Sequence, residues 1–499
     1  MKNSWLPDLP DGENEYATVR LSRIELTDFK SVENGVITFS LQQGRASICG
    51  IYGQNGSGKT AIIQAIAILK CAMAGMKIPR PYAECIAAGK ESANLSFEFD
   101  FSYPDGRLVR VGYEFDLKKA RCSDRKNRVS DGTGHVEYFI VSTEDNADEQ
   151  SQKEVVFAPD CYKVVIENEV IRIGGEIDGV KRRFKDVLST VEHDIVPFGP
   201  KAKHGEFIRN KDDISKLIAV KELTKRNSQS FFFADECLEI FSDNRENQSP
   251  WFRVVAELHH FAMFYLHVVD SRSYGLISSD QMIVFFTRYG GASLKLFEPS
   301  RIPDGLYESI TRELNDVNCV LAQFIPGLEV GIKKLGESLA DDGSIQPMVE
   351  PVAMRDGKEL PLRCESDGVK KIISILNLVI TVYNSKSTTI AIDEFDAGIF
   401  EYLLGEILQI FEESGKGQLI FTSHNLRPLE VISKESIVFT TTNPSNRYTR
   451  MKGVGHTNNL RDMYFREILI NEQDEELYSS AKRHKIISAL RKVGRTHAV

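Results

Sequence analysis

The chain has 499 residues, 42 % of them hydrophobic and 27 % charged, with a formal net charge of −9. Those values leave room for about two to four domain-sized units with buried cores and exclude a mostly disordered chain. No apolar run approaches the roughly 18 residues of a bilayer span, the opening 16 residues lack a secretory pattern, and the eight cysteines are scattered without a CxxC, which together argue for a cytoplasmic protein with reduced thiols and no zinc site.

In chain order, residues 1–17 read as a loose Pro- and acid-rich arm. Alternating apolar and polar residues predict strands over 18–26 and 35–41, and ASICGIYG (46–53) suits a strand buried on both faces. The Ala- and Ile-rich run 60–74 predicts a helix, and strands follow at 94–103 and 108–117. The basic stretch 118–128 reads as a strand breaker. From there to 350 we expect an inserted mixed domain, with helices at 212–226, 251–268 and 305–324 and strands at 161–173 and 281–287. None of its helical patterns sustains heptads, so no long coiled-coil arm is expected.

Order tightens again after Leu360. Helix 369–384, strand 387–396, helix 402–413 and strand 418–425 alternate as in an α/β unit with a parallel sheet. The expected organisation is therefore an arm (1–17), an ATPase domain in two parts (18–117 and 351–456), the insert (118–350) and a helical basic tail (457–499). In that tail Ile486, Ile487, Leu490 and Val493 share one apolar face, read as core or partner contact. The basic runs at 118–128, 181–183 and the C-terminus read as solvated faces rather than phosphate-backbone contacts, because the whole chain is acidic. Nucleic acid stays open as a partner, and a membrane is not expected.

The chemistry begins at Gly53-Gln54-Asn55-Gly56-Ser57-Gly58-Lys59-Thr60, which fits G-x-x-x-x-G-K-[ST] between a buried strand and a helix. Glycines let backbone N–H groups converge on phosphate oxygens, Lys59 neutralises the β/γ charge, and the Thr60 hydroxyl is a Mg²⁺ ligand. The motif implies ATP and Mg²⁺. Asp393, in Ile390-Ala391-Ile392-Asp393-Glu394 toward the end of the strand 387–396, is the expected partner in holding the metal's hydration shell. Glu394 beside it is the expected general base for the attacking water. A Ser-x-Gly turn at Ser366 and Gly368 opens a helix about 25 residues before Asp393, and His424 ends the strand about 30 residues after Glu394.

The order P-loop, Ser-x-Gly helix, Asp-Glu strand, His strand resembles ABC-type P-loop ATPases. It looks most like the SMC- and OLD-like branch of bacterial AAA-named ATPases, over residues 18–115 and 345–470. The opening RLSRIELTDFKSVENGVITF is similar to that branch's strand, aromatic-basic-Ser turn and strand. ESDGVKK (365–371) stands near its E-S-x-G-x-[KR], and the segment Thr457–Tyr464 looks like its tail. The resemblance implies an α/β fold with a mixed-sheet core and a nucleotide site shared between two copies. In that site Ser366 and Gly368 would contact the γ-phosphate of the neighbouring copy, Asp396 would lie in the D-loop, and His424 would sense the γ-phosphate. The glutamine of the Q-loop has no match, since Gln64 lies inside the first helix.

Three function classes compete on this basis. Split ATPase halves and an altered signature weigh against a transporter subunit. A zinc-hook repair ATPase needs long heptads and a CxxC, and a nuclease of the OLD type needs an acidic metal-binding domain for which the stretch after His424 is too short. The chain then looks like the sensor ATPases of bacterial antiphage systems such as PARIS and Septu, forming a homodimer or higher oligomer and controlling a separate, nuclease-like effector protein from the same locus. The alternative is an ATPase similar to SMC and RecF proteins, acting on DNA in repair or chromosome maintenance.

Overall fold

The computed structural model describes residues 17–41, 45–121, 128–129, 138–139, 156–157, 162–177, 179–191, 211–242, 250–270, 282–287, 290–339, 345–355, 357–452, 459–470, 474–478 and 483–496. The expected arm, all but residue 17, lies outside them. Among them no helix is long and apolar enough to cross a membrane.

Two six-stranded sheets enclose the first helix. One is antiparallel and built from β1 (Thr18–Phe29), β2 (Val32–Thr38), β4 (Ser92–Ser102), β5 (Leu108–Arg121), β9 (Tyr162–Ile177) and β10 (Val180–Ser189), in the order β10-β9-β5-β4-β1-β2. The other runs β11 (Leu266–Val269), β18 (Thr389–Ile392), β19 (Gln418–Thr422), β3 (Ser47–Tyr52), β20 (Ile437–Thr440), β21 (Tyr448–Thr449), parallel except for the last pair. Strands β6 (Arg128–Val129), β7 (Tyr138–Phe139) and β8 (Val156–Phe157) form a short ladder of their own.

The parallel strands carry apolar residues on both faces because each face meets a different core. Cys49, Ile51, Ala391, Ile420 and Val438 pack toward α1 (Lys59–Met73) and the antiparallel sheet. Their neighbours Ile48, Tyr52, Ile390, Ile392, Leu419 and Phe421 pack into the second core. Helices α5 (Asp304–Phe324), α6 (Asp367–Asn384) and α7 (Glu401–Ser414) contribute to that core, and α9 (Leu460–Ile470) covers its edge. The same core takes in a lobe of β12 (Met282–Thr287) with β13 (Gly290–Lys295), and of β14 (Ser300–Arg301), β15 (Leu328–Leu339), β16 (Ile345–Arg355) and β17 (Lys358–Pro361).

The predicted helices and strands of segment 118–350 form as α2 (Lys211–Asn227), α4 (Pro250–Phe264), α5, β9 and β12, except that the helix expected over 251–268 ends at Phe264 and its last residues form β11 instead. Their placement corrects the idea of a separate insert. Strands β9 and β10 extend the antiparallel sheet from β5, and β11 forms the edge of the parallel sheet beside β18. The first residues of the basic run continue β5, which pairs with β9 as far as Arg121↔Tyr162, and residues 122–127 of the run lie outside those described. Lys118 is exposed on the sheet and pairs with Glu167 at 3.5 Å. Lys70 of α1 donates to the Leu266 carbonyl at 2.6 Å, anchoring β11 from inside, and burial pushes its ammonium down to about 8. In the tail α10 (Arg483–Thr496) forms, but Ile487, Leu490 and Val493 are exposed, so this face is not part of the core.

A fully buried glutamine joins the two sheets. Gln418 Nε2 donates to the Leu21 carbonyl at 2.8 Å, and its Oε1 accepts from the Leu21 N–H at 3.0 Å and the Thr389 hydroxyl at 3.2 Å. The side chain thus completes the backbone pairing of β1 from a strand of the other sheet. Arg20 adds bonds to the carbonyls of Arg45 and Lys416. Replacing Gln418 with Met leaves two backbone groups of Leu21 buried without partners, at about 1–3 kcal/mol each. A Gln418→Met variant should therefore show a clearly lower denaturant midpoint than the parent protein.

Between α1 and α4, burial pushes His259 down to about 4, although its Nδ1 meets the Met73 carbonyl at 2.9 Å. His260 is also pushed down to about 4, by burial and by its neighbour His259. The unfolded chain binds protons at these positions near pH 6.5 and the folded chain only near 4. Their effect is absent above pH 6.5, grows as pH falls, and saturates below about 4. Urea melts over that window should show stability falling with pH less steeply in His259→Gln.

Candidate functional site

The P-loop lies where β3 hands the chain to α1. Gly53 adopts φ +152°, and a Cβ there would fall on the Thr440 hydroxyl. Glycine is thus required by backbone conformation and by close approach. Gly56 (exposed) and Gly58, the residue preceding α1, also have positive φ. Asn55 is exposed at the tip of the loop.

Contacts from the far end of the sheet fix this loop. Ser57 Oγ donates to the Gln54 carbonyl at 2.6 Å and meets the Thr440 hydroxyl, and the Tyr448 hydroxyl donates to the Gly58 carbonyl at 2.8 Å. Lys59 is buried and donates to the carbonyls of Gly53 (2.7 Å) and Gln54 (3.1 Å). Burial lowers its pKa, against the opposing pull of Asp393, Glu394 and Asp396. Gln64 is buried in α1 and accepts from Lys30 at 2.6 Å, which seats the Phe29-Lys30-Ser31 turn on the helix.

Asp393 follows β18 two strands away, across β19, and is buried. Its Oδ1 accepts from the Thr60 hydroxyl at 3.3 Å and the Thr422 hydroxyl at 2.6 Å. A hydroxyl and a carboxylate converging at the end of a P-loop are hard oxygen donors of the kind Mg²⁺ takes, so Thr60 and Asp393 fit that ion. Bound there, it would neutralise phosphate charge.

Glu394 is exposed and sits at φ +49°. Its N–H donates to Thr422 Oγ1 at 2.8 Å, and its carbonyl accepts from the Ala397 N–H at 3.0 Å and from Lys371 Nζ at 2.6 Å. A carboxylate held at the strand end while its backbone is fixed at three points can orient and deprotonate a water.

The other expected residues divide between two surfaces. His424 is exposed after β19, and its N–H and that of Asn425 donate to Asp396 Oδ2 at 3.1 and 2.9 Å. The Asp396 carboxylate thereby shapes the turn that presents His424. Ser366 is exposed and caps α6, accepting from the Val369 N–H at 3.4 Å. Gly368 packs so closely on the Gly398 carbonyl that a Cβ could not fit, joining the start of α6 to the turn after Glu394.

Sequence reasoning missed Thr422, Thr440, Tyr448 and Lys371. Only Thr422 left a signal, as the hydroxyl residue at the end of the strand that neighbours the acidic one.

Residues 23–155 match the family model of an AAA domain. Over 101 residues the chain is 32 % identical to the DNA replication and repair protein RecF of Chlorobium luteolum, a stretch covering 20 % of this chain and 26 % of that protein. The chain therefore spans about a quarter of that curated relative's length. Among solved structures it is similar to the SMC head domain from Thermotoga maritima, at 16 % identity over 87 % of this chain and 99 % of that one, with a TM-score of 0.33. It is also similar to the recombination mediator protein RecF with ATP, at 12 % identity over 82 % and 94 %, again with a TM-score of 0.33.

Thr422→Val removes one hydroxyl that serves both Asp393 and the Glu394 backbone. Phosphate release should fall about 10- to 100-fold with little change in the ATP concentration giving half-maximal rate. The parallel strand order, the P-loop after β3 and the acids placed against it make an α/β P-loop fold.

Proposed function

We propose that this protein is an ATPase of the SMC and RecF kind that closes two copies around ATP and acts on DNA in repair or chromosome maintenance. The observation that carries the catalytic half is the convergence of Thr60 and Asp393 beside the exposed Glu394. Lys59 and the P-loop amides bind the phosphates, Thr60 and Asp393 hold Mg²⁺, Glu394 activates water, and His424 meets the γ-phosphate.

Self-association is supported by the position of Ser366 and Gly368. They open an exposed helix N-terminus whose dipole and N–H groups suit an anion. The reading gives that surface the γ-phosphate of a second copy.

For the biological role, the likeness to a DNA replication and repair protein weighs for DNA over the antiphage sensor with its separate effector. Lys181, Arg183 and Lys185 lie exposed on the edge strand β10 and offer a local cationic surface on an otherwise acidic chain.

Glu394→Gln should bind ATP, fail to turn it over, and elute with ATP as a dimer or larger species. Lys59→Ala should neither bind ATP nor shift. Elution unchanged by ATP in Glu394→Gln would remove the shared-site reading. Duplex DNA should raise wild-type ATP turnover, and the effect should fade with added salt. If DNA changes nothing and Glu394→Gln instead retains a stoichiometric second protein from its native cells, the effector reading replaces the DNA one.

A further inference from the structure

Lys371 lies one helical turn beyond the Ser366–Gly368 cap, on the buried side of α6. Its ammonium reaches out of its own helix to the main-chain carbonyl of Glu394, at 2.6 Å. Glu394 is an unusual place to attach. It is one of five non-glycine residues with positive φ among those described, at +49°, a conformation that its surroundings must hold. A second link lies close by: Gly368 and Gly398 touch through their backbones at the other end of the same turn. Helix α6 thus grips residues 394–398 at both ends, by a charge-assisted hydrogen bond and by a contact too tight for any side chain.

We propose that Lys371 is a positioning residue for ATP hydrolysis, transmitting the state of the α6 N-terminus to the general base Glu394 of the same chain. The inference rests on the shared-site reading above. When Ser366 and Gly368 of one copy hold the nucleotide of the other, α6 is fixed at its tip. Lys371 and Gly368 carry that constraint into residues 394–398, and Glu394 is held against the copy's own nucleotide. The two sites then fire together, although no side chain reaches from one to the other. The action of Lys371 runs through the backbone of Glu394.

The test measures ATP turnover against ATP concentration in the full-length protein, alongside nucleotide binding by a fluorescent ATP analogue. Wild type should show cooperative turnover, with a Hill coefficient above about 1. Lys371→Met should lower kcat by about 10- to 100-fold and bring the Hill coefficient to about 1, with analogue affinity within about twofold of wild type. Lys371→Arg, which keeps a donor, should recover most of both. Should Lys371→Met fail to fold, Lys371→Leu, which likewise lacks a donor, is read in its place with the same outcomes. Unchanged kcat and cooperativity in a folded variant overturn the proposal, and so does a loss that Lys371→Arg does not repair. A wild-type protein that neither turns over ATP nor associates with it overturns the shared-site reading instead, so the two failures are told apart.

Discussion

Everything in this site depends on α1 being buried on nearly all sides. Every residue of the helix except Thr60 and Lys70 is buried, between the antiparallel sheet on one face and the parallel sheet on the other. A helix held this way cannot rock, so the loop at its N-terminus cannot either. The cost is a side-chain inventory of alanine, isoleucine and leucine with no polar face. Its two hydrophilic interior residues are spent on neighbours, Gln64 on the Lys30 turn and Lys70 on the Leu266 carbonyl. The P-loop therefore inherits its rigidity from both sheets, and Gln418 locks the sheets to each other from the far side.

The electrostatics follow from that burial. Lys59 is the cation of a cluster whose acids are Asp393, Glu394 and Asp396, and each acid has been given a different task by its surroundings. Asp393 is buried and held by two hydroxyls, which favours a fixed metal ligand. Asp396 accepts two backbone N–H groups and shapes a turn. Glu394 alone among the three projects into the open, as a residue meant to meet a water must. Separate environments divide the labour among three carboxylates lying within four residues of one another.

What the sequence made legible was what local pattern controls. Buried strands without alternation, the Ala-rich helix and the P-loop were all readable because period and glycine placement are local properties. The partition of the chain was not. Residues 162–189 and 266–269 read as parts of an insert, and they sit in the two main sheets. Nothing local to β9 tells it to pair with β5 across a long connection, and nothing local to β11 tells it to join β18. The supporting residues were hidden for the same reason: Thr440 and Tyr448 lie almost four hundred residues from the loop they hold, and only the sheet order brings them together. The bonds from the His424 and Asn425 amides to Asp396 were hidden likewise, because no local pattern spans that separation.

The division of the site between buried and exposed groups decides how the enzyme must work. Lys59 and Asp393 are buried and committed to their own chain, whereas Glu394, His424 and Ser366 stand exposed around them. Phosphoryl chemistry in water is slow because water screens the charges meant to stabilise the transition state, so a site of this kind gains most when solvent is expelled. In the proposed shared site, a second copy bringing the α6 N-terminus would add anion-binding groups and exclude water. Once closure depends on a partner, a chain gains from sensing whether its own α6 is engaged. The bond from Lys371 to the Glu394 backbone lies on the shortest physical route between those two events. Under the proposed shared site, rigid burial at α1 and the bond that ties Glu394 to α6 are complementary: the phosphates are held still, while the carboxylate that would take a proton from the attacking water answers to the engagement of α6.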